Sequence, residues 1–147
     1  MSLARGYCLF DPQDEIEIKK RLSGMTHEVK LVLFVQTFNC EGCPETETLL
    51  KELAALSDKL KLEIYNPQID REKAAQYNVS QVPAIVLEGD RDYGIRFFGT
   101  PGGYEFASVL EDIVAIGMRE SGLSESSKQQ IQALTEPLNL KVFVTPT

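Results

Sequence analysis

The chain has 147 residues, of which 43% are hydrophobic and 25% charged, with a net charge of −7. That is enough apolar material for one domain with its own core, and the acidic balance argues against nucleic acid or an anionic membrane as partner. The longest apolar run, Leu31 to Val35, is far short of a membrane span, and the opening Met-Ser-Leu-Ala-Arg lacks the apolar stretch of a signal peptide, so a cytoplasmic location is expected.

Asp11-Pro12-Gln13-Asp14 reads as a helix start, with Ile16, Leu22 and Met25 giving a loose apolar side. Val29 to Val35 is nearly continuous and rich in β-branched and large apolar residues, the pattern of a strand buried on both faces. A cysteine pair follows, and then Leu49, Leu50, Leu53, Ala54 and Leu56 at helical spacing. Leu60 to Tyr65 alternates as a second strand. A short helix over Arg71 to Tyr77 leads to Val82-Pro83 and a third strand, Ala84 to Leu87. The polar turn from Glu88 to Asp92 predicts a hairpin into a fourth strand, Tyr93 to Phe98. Phe106, Val109, Leu110, Ile113 and Val114 then mark the clearest amphipathic helix. A parallel crossover followed by a hairpin and a closing helix gives an α/β fold: a mixed four-stranded sheet flanked by helices.

That unit ends near Met118. Beyond it, Leu123-Ser124-Glu125 opens another helix carrying Ile131 and Leu134, and Leu138 to Val144 reads as another strand. At an offset of 109 residues, Leu22, Met25, Val29, Leu31 and Phe34-Val35 meet Ile131, Leu134, Leu138, Leu140 and Phe143-Val144. The apolar register predicts a repeat that begins and stops, with coincidence between two helix–strand units as the alternative. Residues 1–118 are thus expected to form one unit, and 119–147 a linker plus the first helix and strand of a truncated second one. An unpaired apolar strand invites association, so a dimer through 138–144, or a tail packed back onto the first unit, is expected.

The three cysteines are Cys8, Cys40 and Cys43. An odd, small count does not resemble a secreted disulfide framework, and a closely spaced pair in a reducing compartment is catalytic or metal-binding. Zinc wants four ligands; the chain offers no second such pair, and its single histidine, His27, reads as a surface residue. No metal and no organic cofactor is expected. Cys40-Glu41-Gly42-Cys43 stands between a buried strand and a helix whose first turn holds Pro44. A thiolate facing a helix N-terminus meets free N–H groups and the positive end of the dipole, which lowers its pKa. Cys40 would attack a substrate disulfide and Cys43 would resolve the mixed disulfide. Glu41 is expected to modulate the pair, because a carboxylate beside a thiolate raises its pKa, and Gly42 adds flexibility. Val82-Pro83 stands at the start of the third strand, where the residues alone leave a cis bond and an ordinary trans proline both open. Cys8 reads as a half-buried small hydrophobe. The glycines after Phe98, with Glu105, could hold a carboxylate, although a plain turn explains the same residues.

Over Val29–Cys43, Arg91–Gly99, Glu105–Val114 and Phe143–Thr147 the chain resembles the two-unit protein disulfide oxidoreductases, or glutaredoxin-like proteins, of archaea and bacteria. The resemblance implies a thioredoxin-like fold, tandem units each with a dithiol and a cis-proline, and reduction, oxidation or isomerisation of protein disulfides. By the motif match the dithiol is Cys40 and Cys43, and the cis-proline is Pro83, which the resemblance implies lies beside the thiols and presents the Val82 backbone to an extended substrate. Implied partners are protein disulfide substrates and a reductase or glutathione as electron donor. The chain departs from the family between its cysteines, where Glu41-Gly42 replaces Pro-Tyr or Gly-Pro. It departs again six residues before Cys40, where Phe34 replaces thioredoxin's buried acid. A substrate-docking or scaffold unit with a weak or structural dithiol is the rival reading, and Glu41 is the residue that favours it.

Overall fold

In the computed structural model residues 9–144 are described, and Cys8 lies outside them. Four strands, β1 (Val29–Phe34), β2 (Leu60–Tyr65), β3 (Ala84–Glu88) and β4 (Asp92–Phe98), form one sheet in the order β2-β1-β3-β4. β1 runs parallel to β2 and antiparallel to β3, and β3 and β4 form the hairpin with a bulge at Leu87/Glu88. The sheet is therefore mixed and four-stranded, as its pattern predicts.

The helices are α1 (Pro12–Leu22), α2 (Cys43–Ala55), α3 (Arg71–Gln76), α4 (Tyr104–Met118) and α5 (Glu125–Gln132). Asp11 caps α1, its carboxylate accepting from the N–H groups of Gln13 and Asp14 at 2.8 Å, with Pro12 at the first helical position. β1 is buried at every position except Lys30 because helices cover both faces of the sheet. On one face Leu31, Leu33, Ile85 and Leu87 pack with Ile18 and Leu22 of α1, Leu49, Leu50 and Leu53 of α2, and Val109, Leu110 and Ile113 of α4. On the other, Val32, Phe34, Ala84 and Val86 pack beneath α3 with Ala74, Tyr77 and Val79.

The second face is thinly covered and ends in a polar chain. The Tyr77 hydroxyl donates to Glu88 at 2.7 Å, Lys30 bridges Glu88 at 3.2 Å and Glu63 at 3.8 Å, and the Tyr65 hydroxyl donates to Glu63 at 2.9 Å. Burial, and then the bond to the Glu88 carboxylate, hold the Tyr77 phenol well above its ordinary value. The bond to Glu88 likewise raises Lys30. A raised folded-state pKa stabilises fully below the unfolded value, and the contribution is lost as pH climbs past it toward the folded one. Stability is therefore expected to fall above about pH 10, the ordinary tyrosine value, by about 1.4 kcal/mol per pH unit for Tyr77 alone. Tyr77→Phe should flatten that decline when urea midpoints are compared between pH 9 and 11; an unchanged slope would remove Tyr77 from the account.

The tail differs from expectation. α5 forms, with the Ser124 hydroxyl accepting from the N–H of Ser127 at 3.1 Å. Leu138–Val144 is not a strand, however, and residues 138–144 are exposed throughout. A strand needs a hydrogen-bonding partner, and no described segment pairs with this one. Nor is the tail packed back onto the first unit: Ile131, Leu138, Leu140, Val142 and Phe143 are all exposed.

Candidate active site

β1 delivers the chain to the site at one end of the sheet. The Val35 N–H still bonds to the Tyr65 carbonyl at 3.0 Å, and the path then leaves the sheet. Gln36 organises the loop: its side-chain amide donates to the carbonyls of Phe38 at 2.7 Å and Asn39 at 3.5 Å, and it accepts from Gln68 at 3.4 Å. Asn39 turns the chain with φ +56°, a left-handed conformation that asparagine tolerates better than most residues.

Cys40 and Cys43 are joined in a disulfide with Cα atoms 5.4 Å apart. Cys40 is half-buried against the core and precedes the helix. Cys43 is buried at 3% exposure and is the first residue of α2, with Pro44 next. The Gln36 N–H donates to the Cys43 sulfur at 3.4 Å. Glu41 is exposed beside the pair, and Glu45 stands in the first turn of α2.

The Val82–Pro83 bond is cis. Pro83 is buried, and its ring lies 3.8 Å from where a Cβ on Gly42 would stand, so the proline is in contact range of the cysteine turn. Val82 is half-buried and packs against both cores. The Pro83 carbonyl accepts from the Gly99 N–H at 2.9 Å, which ties the following loop to the same place. That loop brings Thr100 onto Gly42, where its hydroxyl donates to the Gly42 carbonyl at 3.1 Å. Thr46, fully buried in α2, donates to the same carbonyl at 2.7 Å and lies 2.9 Å from the Thr100 hydroxyl.

Sequence reasoning thus names Cys40, Glu41, Cys43, Val82 and Pro83, and the fold brings them together. It misses Gln36, Thr46 and Thr100. Phe34, six residues before Cys40, is fully buried against Tyr65 and Tyr77 with ring centroids 5.8 and 6.0 Å away. That places it on the α3 face, whereas Cys43 belongs to the opposite core. His27 is exposed. The segment before α4 is a turn, with the Glu105 N–H bonded to the Gly102 carbonyl at 3.1 Å. Among the described residues no cluster of histidine, cysteine or carboxylate side chains is arranged to hold a metal.

A family model described as a thioredoxin domain matches residues 28–111. A probable thioredoxin of Methanothermobacter marburgensis is 33% identical over 85 residues, covering 57% of this chain and 94% of that protein. Among solved structures, a protein disulfide oxidoreductase from Aeropyrum pernix superposes with a TM-score of 0.76 at 28% identity, over 89% of this chain and 58% of that one. The NTD_N/C domain of alkylhydroperoxide reductase AhpF from Enterococcus faecalis gives 0.77 at 26% identity, over 86% of this chain and 62% of that one.

Proposed function

The chain belongs to the thioredoxin-domain family and is a thiol–disulfide oxidoreductase, and on that premise we propose the roles of its site residues and the proteins it serves. Cys40 is the nucleophile. Its thiolate attacks a substrate disulfide, forms a mixed disulfide and expels one substrate thiol. Cys43 then attacks the Cys40 sulfur, closes the internal disulfide and releases the second thiol with its proton. The observation that supports this order is the difference in burial across the pair: Cys40 is half-buried at the surface, whereas Cys43 is 3% exposed. The substrates are protein disulfides, laid as an extended segment along the Val82 backbone beside Pro83. A reductase or glutathione returns the pair to the dithiol.

Glu41 tunes the rate. Its charge opposes the thiolate at Cys40, and it is exposed, so the effect is modest and screened by salt. Glu41→Gln should speed reduction of a disulfide-bonded model protein by roughly two- to fivefold at low ionic strength, since a charge pair in water at 4 Å amounts to about 1 kcal/mol. The gain should shrink as salt is added. An unchanged rate would remove Glu41 as a brake, and with it the main support for a docking unit with an idle dithiol.

Residues 119–147 are proposed as a linker followed by the opening helix and strand of a second unit, supported by the apolar register that helix and strand share with the first. Leu138, Leu140, Val142 and Val144 alternate along an exposed segment, the pattern of a strand awaiting an edge. Pairing of two copies through 138–144 should give twice the chain mass by light scattering, and Leu140→Asp should return it to a monomer. A monomer in the unsubstituted chain at high concentration contradicts the pairing.

A further inference from the structure

Gly42 is glycine for want of room and not for its backbone angles. Its φ of −82° and ψ of −7° are open to any residue, yet a Cβ there would collide with the Thr100 hydroxyl. That hydroxyl is held. It donates to the Gly42 carbonyl at 3.1 Å and touches the hydroxyl of buried Thr46, which donates to the same carbonyl at 2.7 Å. Each hydroxyl carries one proton. One of them bonds the carbonyl, and the other bonds either the carbonyl or its neighbour, so the three oxygens form a closed set. The carbonyl also accepts the helical N–H of Thr46 at 3.0 Å. Thr100 comes from the loop whose Gly99 N–H is bonded to the Pro83 carbonyl. The peptide that enters Cys43 is therefore fixed from the helix below it and from the cis-proline loop beside it.

We propose that Thr100 and Thr46 are positioning residues that clamp the Gly42 carbonyl and thereby preorganise the Cys40–Cys43 turn for disulfide closure. The inference rests on the dithiol exchange proposed above and concerns its second step. There Cys43 must reach the Cys40 sulfur faster than the mixed disulfide is reversed. A turn made of Glu and Gly has no covalent stiffness of its own, and an intramolecular attack gains from a geometry set beforehand. The clamp supplies from outside the turn the rigidity that a proline within it would give. Thr100 and Gly42 are a matched pair: a side chain at 42 would have to rotate the Thr100 hydroxyl away, breaking the clamp.

The test uses the full chain with oxidised and reduced glutathione as probe. Reduced protein attacks oxidised glutathione through Cys40, giving Cys40–glutathione and one glutathione thiol. Cys43 then displaces the second glutathione, which leaves with its proton as the internal disulfide closes. Rapid alkylation and mass spectrometry time the mixed disulfide, and equilibration in the same buffer gives the potential. Thr100→Ala should lower the effective concentration of Cys43 at Cys40 about tenfold. The mixed disulfide should then persist about tenfold longer, and the potential should rise by about 30 mV. Thr100→Ser, which keeps the hydroxyl, should match the unsubstituted chain. Gly42→Ala should reproduce Thr100→Ala, and the double variant should be no worse than either. A folded Thr100→Ala with unchanged lifetime and potential overturns the clamp while leaving the dithiol reading intact. If Thr100→Ala fails to fold, Gly42→Ala carries the same expectation and the same power to overturn it. An unsubstituted chain with no reversible couple overturns the dithiol reading and the clamp together.

Discussion

Cys40→Ser is expected to abolish disulfide exchange, by at least about a thousandfold, because a serine hydroxyl at neutral pH offers no comparable nucleophile. Cys43→Ser should behave differently. It keeps the attacking thiol at Cys40 and loses the group that resolves the intermediate, so it should capture a disulfide-bonded substrate as a lasting covalent adduct. The asymmetry follows from position: Cys40 is half-buried ahead of the helix, and Cys43 is buried as its first residue with the Gln36 N–H directed at its sulfur. Both variants are made with Cys8→Ser, so that no third thiol reports. Non-reducing electrophoresis and mass spectrometry after mixing with a disulfide-bonded model protein give the answer. Capture by Cys40→Ser and not by Cys43→Ser would reverse the roles assigned here.

Phe34→Ala should cost about 3–5 kcal/mol of stability, the range for removing a buried phenylalanine. Against a total of about 5–15 kcal/mol for a domain, that brings the fold close to its limit. Phe34 has no solvent exposure, and its ring packs between Tyr65 and Tyr77 on the sheet face covered by the short helix α3 and the Tyr77–Val79 segment after it. β1 beneath it is paired on both sides, so the backbone is held and the void is expected to stay open. Leu138→Ala removes a comparable apolar side chain that is 70% exposed, and should change stability by no more than about 0.5 kcal/mol. Urea denaturation of both variants measures the contrast. Equal losses would mean that the tail is packed in solution.

Most of this architecture is legible before any coordinates, because local pattern and tertiary outcome agree. Val29 to Val35 reads as a strand buried on both faces, and helices do cover both faces of β1, while Leu60–Tyr65 alternates where only part of it is covered. The cis bond at Pro83 is what the family resemblance implies, and the bond is cis. What escapes the sequence is what depends on distant partners. Leu138–Val144 has the composition of a strand, but a ladder needs a second strand, which no single segment can declare. Thr46 and Thr100 lie 54 residues apart and look like ordinary helix and loop threonines until the fold joins their hydroxyls. Gly42, read alone, means flexibility; beside Thr100 it means room. Gln36 sits in a polar stretch with nothing to mark it until its amide is seen bracing the loop before Cys40.

The redox reading of Cys40 and Cys43 is tested most directly by titrating the purified chain through thiol–disulfide buffers, with alkylation and mass spectrometry locating the reacting cysteines. A working dithiol gives a reversible two-electron transition confined to Cys40 and Cys43, at a potential between about −120 and −270 mV, the span of the known thioredoxin-fold couples. A pair that stays reduced, or stays locked as the disulfide, across that whole range would contradict it.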